Sequence, residues 1–437
     1  MLRKEELLEI LNEWNYWERD VEEGLFPREA YMEKMLSYLK TKEVVVLRGV
    51  RRSGKSTLLK LLISELQKTH SSKQILLVNF EEPRFYPHLG LELLESIFDA
   101  YRTFVNPKEK CFVLLDEIQH IKAWERWVRK YRDLDPNNVK IIVTGSSSRL
   151  LDSEYATTLT GRTLPITVFP LSFREYLQCH GVETKGLASP ARRRGITALL
   201  AKYIRGGGFP ETLVTKQKGL LQEYFDGIIY KDIIDRHAIR DSATVKRMAH
   251  YLLTNVSKEY SYNSIRKMFG VSLDLVRQYM SYIEATYLVF SVGLFSYSLK
   301  EQSVNPRKVY CVDTGLRNIV GFKFSEDWSR LYENVVFLEL KNRLSGSNQE
   351  VYYWRSKSGR EVDFLVRKGM KTMQAMQVCW DVDDQKTRQR EVQGLAEALK
   401  EFKLTNGVVI TEDFEGSEKV GGKNIAYVPL WKWLLER

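Results

Sequence analysis

Cysteine and histidine are scarce in this chain. Its 437 residues hold four cysteines (Cys111, Cys179, Cys311 and Cys379) and six histidines. No two cysteines form a C-x-x-C pair, and the histidines show no metal-ligand spacing. A disulfide framework and a structural zinc site are therefore excluded as organising elements. Long apolar runs are also missing. None approaches the roughly 20 residues that cross a bilayer. The N-terminal stretch "MLRKEELLEILNEWNYWERD" is charged and amphipathic, without the apolar core of a secretion signal. The expectation is a cytoplasmic protein with no membrane partner. Acid is in deficit: 56 Asp and Glu face 67 Lys and Arg, a net charge of +11. Such an excess favours a polyanionic partner such as DNA, whose phosphates release counterions on binding. A solvated basic surface is the plain alternative.

What is present is an ordinary globular composition, 43% hydrophobic and 28% charged, in a chain too long for one core. Internal repeats and low-complexity stretches are absent. Residues 49–57 read "GVRRSGKST", the pattern G-x-x-x-x-G-K-[ST]. The apolar run "VVVL" (44–47) precedes it and the helix-spaced "LLKLLISEL" (58–66) follows. A glycine-rich loop between strand and helix turns backbone N–H groups toward phosphates, and the helix adds its positive end. Gly49, Arg52, Ser53, Gly54, Lys55, Ser56 and Thr57 are thus candidates for binding ATP. Lys55 is expected on the outer phosphates and Ser56 on Mg2+, with Thr57 the weaker metal candidate.

Downstream, "FVLLDE" (112–117) is an apolar strand ending in two carboxylates. Asp116 is the candidate for the Mg2+ shell and Glu117 for polarising the attacking water. "IIVTGSSS" (141–148) ends a further strand in small hydroxylated residues, and Thr144 or Ser146 is expected between water and γ-phosphate. "LTGRT" (159–163) offers Arg162 as an arginine supplied to a neighbouring subunit's site, in competition with Arg51, Arg52, Arg149 and Arg205. Trp124 and Trp127 in "KAWERWVRK" have the spacing of packing residues, with a partner surface as the other reading.

Apolar strands at 44–47, 74–80, 110–119, 140–148 and 164–169 alternate with helical stretches. They predict an α/β fold with a parallel sheet. From about 171 the chain turns helical, with "YIRGGGFPETL" (203–213) as a break. Residues 220–300 contain a helix, a turn at Gly270, a second helix and a β-like tail, the order of a winged helix. The expected domains are a helical lead-in (1–40), a P-loop core (41–170), a helical lid (171–219), a winged-helix-like domain (220–300) and a C-terminal α/β domain (301–437).

The motifs "GVRRSGKST", "LLDEIQ", "VTGSSSRLL", "LTGR", "PLSFREY" and "GGFPE", in this order, resemble the prokaryotic AAA-type P-loop ATPases of the archaeal-ATPase-like group. The resemblance covers nearly the whole chain. It implies Mg2+-ATP on Gly54, Lys55, Ser56 and Asp116, water activation by Glu117, a helical lid, a winged helix and a terminal restriction-endonuclease-like domain. In such domains one Asp lies on a strand and a D/E-x-K on the next. Here Asp363 and Glu361 lie in "GREVDFLV", but the next strand reads Gln377-Val378-Cys379, with no acid and no lysine. Glu339 is a candidate further carboxylate and Lys386 a candidate replacement lysine. Arg355, Lys357 and Arg360 are available for phosphate contact. The domain is therefore expected to be degenerate. The expected function is a Mg2+-dependent ATPase, a homo-oligomer, that couples ATP hydrolysis to DNA binding or remodelling. An ATP-gated switch with a protein partner and an ATP-dependent nuclease are the alternatives.

Overall fold

The computed structural model describes all residues except 1, 108, 148–158, 184–189, 216, 218, 323–326 and 437. The chain divides into two compact units, Met1–Val168 and Phe169–Arg437.

The first unit is built on a parallel sheet. Its strands are β1 (Val44–Arg48), β2 (Ile75–Asn79), β3 (Cys111–Asp116), β4 (Val139–Gly145) and β5 (Thr163–Thr167). Their order is β2-β3-β4-β1-β5, and every pairing is parallel. All of β3 and β4 is buried, as a parallel sheet covered on both faces requires. Successive residues alternate between two cores. Val44, Val46, Val113 and Leu115 join one, and Val45, Leu47, Phe112 and Leu114 join the other. The helix Lys55–Gln67 covers the second core with Leu58, Leu59, Leu62 and Leu66. Trp124 and Trp127 are buried in the first core, so they pack and present no partner surface.

The second unit begins with helices and a stretch of π-helix, Ile228–Asp235. Then come the helix Ser242–Thr254, β6 (Glu259–Tyr260), the helices Tyr262–Phe269 and Leu273–Ala285, β7 (Val289–Gly293) and β8 (Arg307–Cys311). These three strands form an antiparallel sheet in the order β6-β8-β7. Gly270 takes the left-handed conformation, φ 67°, that ends the helix before it. A mixed six-stranded sheet follows, ordered β13-β14-β12-β11-β10-β9. Its strands are β9 (Gln349–Arg355), β10 (Glu361–Lys368), β11 (Lys371–Val378), β12 (Asn406–Thr411), β13 (Gly416–Val420) and β14 (Lys423–Pro429). The helices Trp328–Arg343 and Gln385–Glu401 belong to the same region. Among the described residues no helix is long and apolar enough to cross a membrane.

The glycine break at 206–208 has a partner. A Cβ on Gly207 would meet Asp313 Oδ1 at 2.1 Å, and one on Gly315 would meet the Gly206 carbonyl at 2.1 Å. The two segments touch through bare backbone. Asp313 Oδ2 accepts the Gly208 N–H at 2.6 Å, and Oδ1 accepts the Leu316 N–H at 2.8 Å. Burial pushes the Asp313 carboxyl up to about 6 despite these donors. The folded chain thus holds a proton that the unfolded chain releases near pH 4. The stability this proton adds is complete below about pH 4 and lost as pH rises through 6. In urea unfolding, the free-energy difference between wild type and Asp313→Asn should therefore shrink from pH 4 to pH 6. A difference independent of pH would contradict this.

Candidate active site

In a parallel sheet the ends of adjacent strands converge on one edge. Here β1 leads into the glycine loop, β3 ends in Asp116, and β4, inserted between them, ends near Thr144. The loop allows close approach. A Cβ on Gly49 would meet the Val168 carbonyl at 2.1 Å, and Gly54, φ 95°, caps the following helix in the left-handed conformation. Arg28 steadies the loop, donating to the Ser53 carbonyl at 3.0 Å while lying over the Tyr31 ring.

Lys55 is buried. Its ammonium donates to the Gly49 and Val50 carbonyls, each at 3.1 Å, and stands 3.7 Å from Glu117 Oε1. Thr144 joins the two acids, because its hydroxyl donates to Asp116 Oδ1 and accepts the Glu117 N–H at 3.0 Å. The Ser56 hydroxyl also bonds Asp116. Glu117 sits at φ 54°, left-handed and uncommon for a side chain of its size. Gln119 donates to its Oε2 and approaches the Ser146 hydroxyl at 3.5 Å.

Burial pushes the Asp116 carboxyl up to about 6, and the Glu117 charge adds to the rise. Glu117 moves the other way. Burial opposes its ionisation, but Lys55 and then Gln119 hold its carboxyl below the usual range. Two adjacent acids thus differ in their readiness to hold a proton.

The residues fit a Mg2+–nucleotide. Ser56 and Asp116 are hard oxygen donors side by side. The Ser53 hydroxyl is buried with no partner among the described residues, in a loop where Arg52 and Gly54 take positive φ.

Arg162 does not reach this edge. β1 and β5 run parallel with Val44 beside Thr163, and the Arg162 carbonyl accepts the Val44 N–H at 2.9 Å. Arg162 therefore stands about 15 Å, one strand length, from the loop of its own chain. Its Nε lies 3.6 Å from Asp133. Of the competing arginines, Arg51 pairs with Glu81 at 3.0 Å, Arg205 lies over Trp328, and Arg52 belongs to the loop with φ 67°. Arg149 lies outside the described residues.

Comparison with known proteins agrees with this geometry. Residues 41–177 match the family described as AAA domain. Two domains of unknown function, DUF8612 and DUF4143, match residues 197–326 and 328–433. The uncharacterized protein MJ1544 of Methanocaldococcus jannaschii is 32% identical, across 98% of this chain and 93% of its own. The chain belongs to the same family of AAA-domain proteins. An uncharacterized protein of Haemophilus influenzae is 27% identical over 93% of this chain and 98% of its own. Among solved structures, the Aeropyrum pernix ORC1 protein in complex with DNA covers 69% of this chain and 93% of its own. It does so at 13% identity and a TM-score of 0.33, too distant to assign function.

This AAA protein carries a second acid centre, within its second unit. Asp363 on β10 is buried there, but the lysine beside it is Lys308 of β8. Its ammonium lies 2.8 Å from Asp363 Oδ1, 2.9 Å from Glu333 Oε1 and 2.7 Å from Glu361 Oε1. Tyr310, two residues along the strand and so on the same side, donates to Glu333 Oε1 at 2.7 Å. Asp363 Oδ2 accepts the Val378 N–H at 3.0 Å. Gln377 accepts from the Asp363 N–H at 3.0 Å and donates to Glu391 at 2.6 Å.

Two expectations are corrected here. The helix supplies Glu333, because Glu339 points to Arg343 at 2.7 Å. The lysine is Lys308, because Lys386 is exposed in the first turn of its own helix. Burial pushes the Cys379 thiol up to about 12, which keeps it protonated and no substitute for an ammonium. Arg355 and Arg360 are engaged by Glu361 and Glu397. Among the described residues no group of acids, histidines and cysteines is arranged to hold a metal ion. The ammonium stands where a cation would balance the acids.

Burial pushes the Glu333 carboxyl up to about 8, and Asp363 adds to the rise. Asp363 and Glu333 in turn raise Lys308 against its own desolvation. Removing the lysine leaves buried carboxylates unpaired. Lys308→Ala is expected to cost about 3–5 kcal/mol in urea unfolding. Adding Glu333→Gln and Asp363→Asn should recover part of that loss. A cost below about 1 kcal/mol for Lys308→Ala would contradict the pairing.

Proposed function

We propose that this protein is a Mg2+-dependent ATPase whose nucleotide cycle is coupled to DNA binding. One observation carries the ATPase reading: Lys55, Ser56, Asp116 and Glu117 meet at one sheet edge, with the two acids held in different protonation tendencies. On this reading Lys55 exchanges the Gly49 and Val50 carbonyls for the outer phosphates. Ser56 and Asp116 would hold Mg2+, which when bound would neutralise phosphate charge. Glu117, kept ionised by Lys55, accepts the proton of the attacking water. Thr144 fixes the distance between the acids, and Gln119 sets the orientation of Glu117. Ser146 reaches the site through Gln119. These assignments extend to Gly49, Arg52, Ser53, Gly54 and Thr57 as the phosphate cradle.

Arg162 lies a strand length from its own loop, so on this reading any part it takes in the reaction is on a neighbouring copy within a homo-oligomer. The DNA reading rests on the element order from the helix Ser242–Thr254 through β8, which we read as a winged helix, and on the net charge of +11. A nuclease fits less well. The acid centre is closed by Lys308, and the second motif has lost both its acid and its lysine.

Steady-state ATP hydrolysis with Mg2+ tests this. Glu117→Gln should lower turnover by about 10²–10⁴-fold while keeping nucleotide binding. Lys55→Ala should lose both. Arg162→Ala alone should be slow, and mixing it with Glu117→Gln should restore part of the activity, because a mixed oligomer contains one intact site. Wild-type turnover by Glu117→Gln would overturn the hydrolytic assignment, and mixing without recovery would remove Arg162 from it.

A further inference from the structure

Strand β8 carries two cations in succession, and successive residues on a strand face opposite sides. Lys308 turns inward to the acid centre. Arg307 lines a groove of about 150 Å3 on the other side, with Ser261, Tyr262, Asn263, Arg277 and Asn305. Three separate elements converge there. Ser261 caps the helix Tyr262–Phe269, Arg277 stands near the start of the helix Leu273–Ala285, and Arg307 begins β8.

Arg307 is preset. Its Nη1 donates to the Tyr262 hydroxyl at 3.2 Å, and its guanidinium lies 5.3 Å from that ring's centre. The strand beneath is pinned by the ion-paired Lys308. Arg277 pairs with Asp274, at 3.3 Å on an exposed rim, a pairing that contributes little and exchanges readily. Glu284 does not line the groove: it accepts the Ser291 hydroxyl and lies near enough to Arg307 for the guanidinium to favour its charged form. Beyond the rim, Arg277, Gln278 and Ser281 form an exposed helix face, and Arg266 and Lys267 are exposed on the helix before it.

We propose that this groove receives a backbone phosphate of duplex DNA, with Arg277 and Arg307 as its two cationic contacts. The exposed face of the helix Leu273–Ala285 then lies along the adjoining major groove. This rests on the DNA reading above and specifies where contact is made. Two guanidiniums from separate elements, set among hydroxyl and amide groups, suit a phosphate oxygen cluster. The helix beside them has the width that a major groove admits.

Fluorescence anisotropy of a labelled duplex across a KCl series tests the assignment on the full chain. Arg277→Gln and Arg307→Gln should each lower the slope of log K against log salt by about 1. The double variant should bind at least about tenfold more weakly at 0.1 M salt. ATP hydrolysis without DNA should stay unchanged. Lys400→Gln, which removes the same charge from the helix Gln385–Glu401, should leave the slope at the wild-type value. If Arg307→Gln lowers the thermal midpoint through its contact with Tyr262, Arg277→Gln alone decides. Wild-type slope and affinity in Arg277→Gln would overturn the groove and leave the DNA reading standing. Wild-type protein that fails to bind duplex at low salt would overturn both.

Discussion

The ammonium of Lys55 beside the paired carboxylates of Asp116 and Glu117 is the interaction on which the first unit depends. A fully buried strand, β3, delivers both acids into a poorly solvated edge. Two adjacent negative charges there are costly unless a cation stands close. Lys55 lies 3.7 Å from Glu117 and is itself held by the carbonyls of its own loop. The sheet order makes this meeting possible. Because β4 lies between β1 and β3, the loop, the acids and Thr144 share one edge. The same order sends Arg162 to the other edge. On the proposed reading, a phosphate chain with its metal would supply the charges this edge lacks, a partner for Lys55 and a cation for Asp116.

The second unit solves the same problem differently. Glu333, Glu361 and Asp363 are gathered around Lys308, with Tyr310 and Gln377 filling hydrogen-bonding positions. An ammonium on a neighbouring sheet does the balancing, so the centre is closed and ties β8 to β10. Lys308 follows Arg307 directly. One strand therefore links an outward-facing cation to a buried ion-pair cluster.

Much of this could be read from local patterns. The phosphate loop, the strand ending in Asp116-Glu117 and the five parallel strands are short-range signals, and each fell where its residues predicted. Tertiary pairings are different. Lys308 is 55 residues from Asp363, and no local spacing links them. Glu333 and Glu339 share a helix, and which one faces β10 depends on how that helix is rotated against the sheet. The hairpin β13–β14 turns on Gly421 and Gly422, both with positive φ, a signal present in "VGGKN" but preceded by β13, whose residues are mostly exposed and carry little apolar alternation. The glycines at 206–208 read as a helix break. Their reason, the close approach of Asp313 and Gly315, lies about 105 residues away. Gln119 looked like an ordinary residue after the acids, because only the left-handed turn at Glu117 brings its amide back to the carboxylate.

The claim that joins the two units is that nucleotide state changes DNA affinity. Thermodynamic linkage makes that a single number. The direct measurement is the dissociation constant of a labelled duplex from Glu117→Gln with Mg2+-ATP and with Mg2+-ADP, at one salt concentration. The account predicts a difference of at least about fivefold between the two nucleotides. Equal affinities in both states would contradict it, leaving an ATPase and a basic DNA-binding unit with no coupling between them.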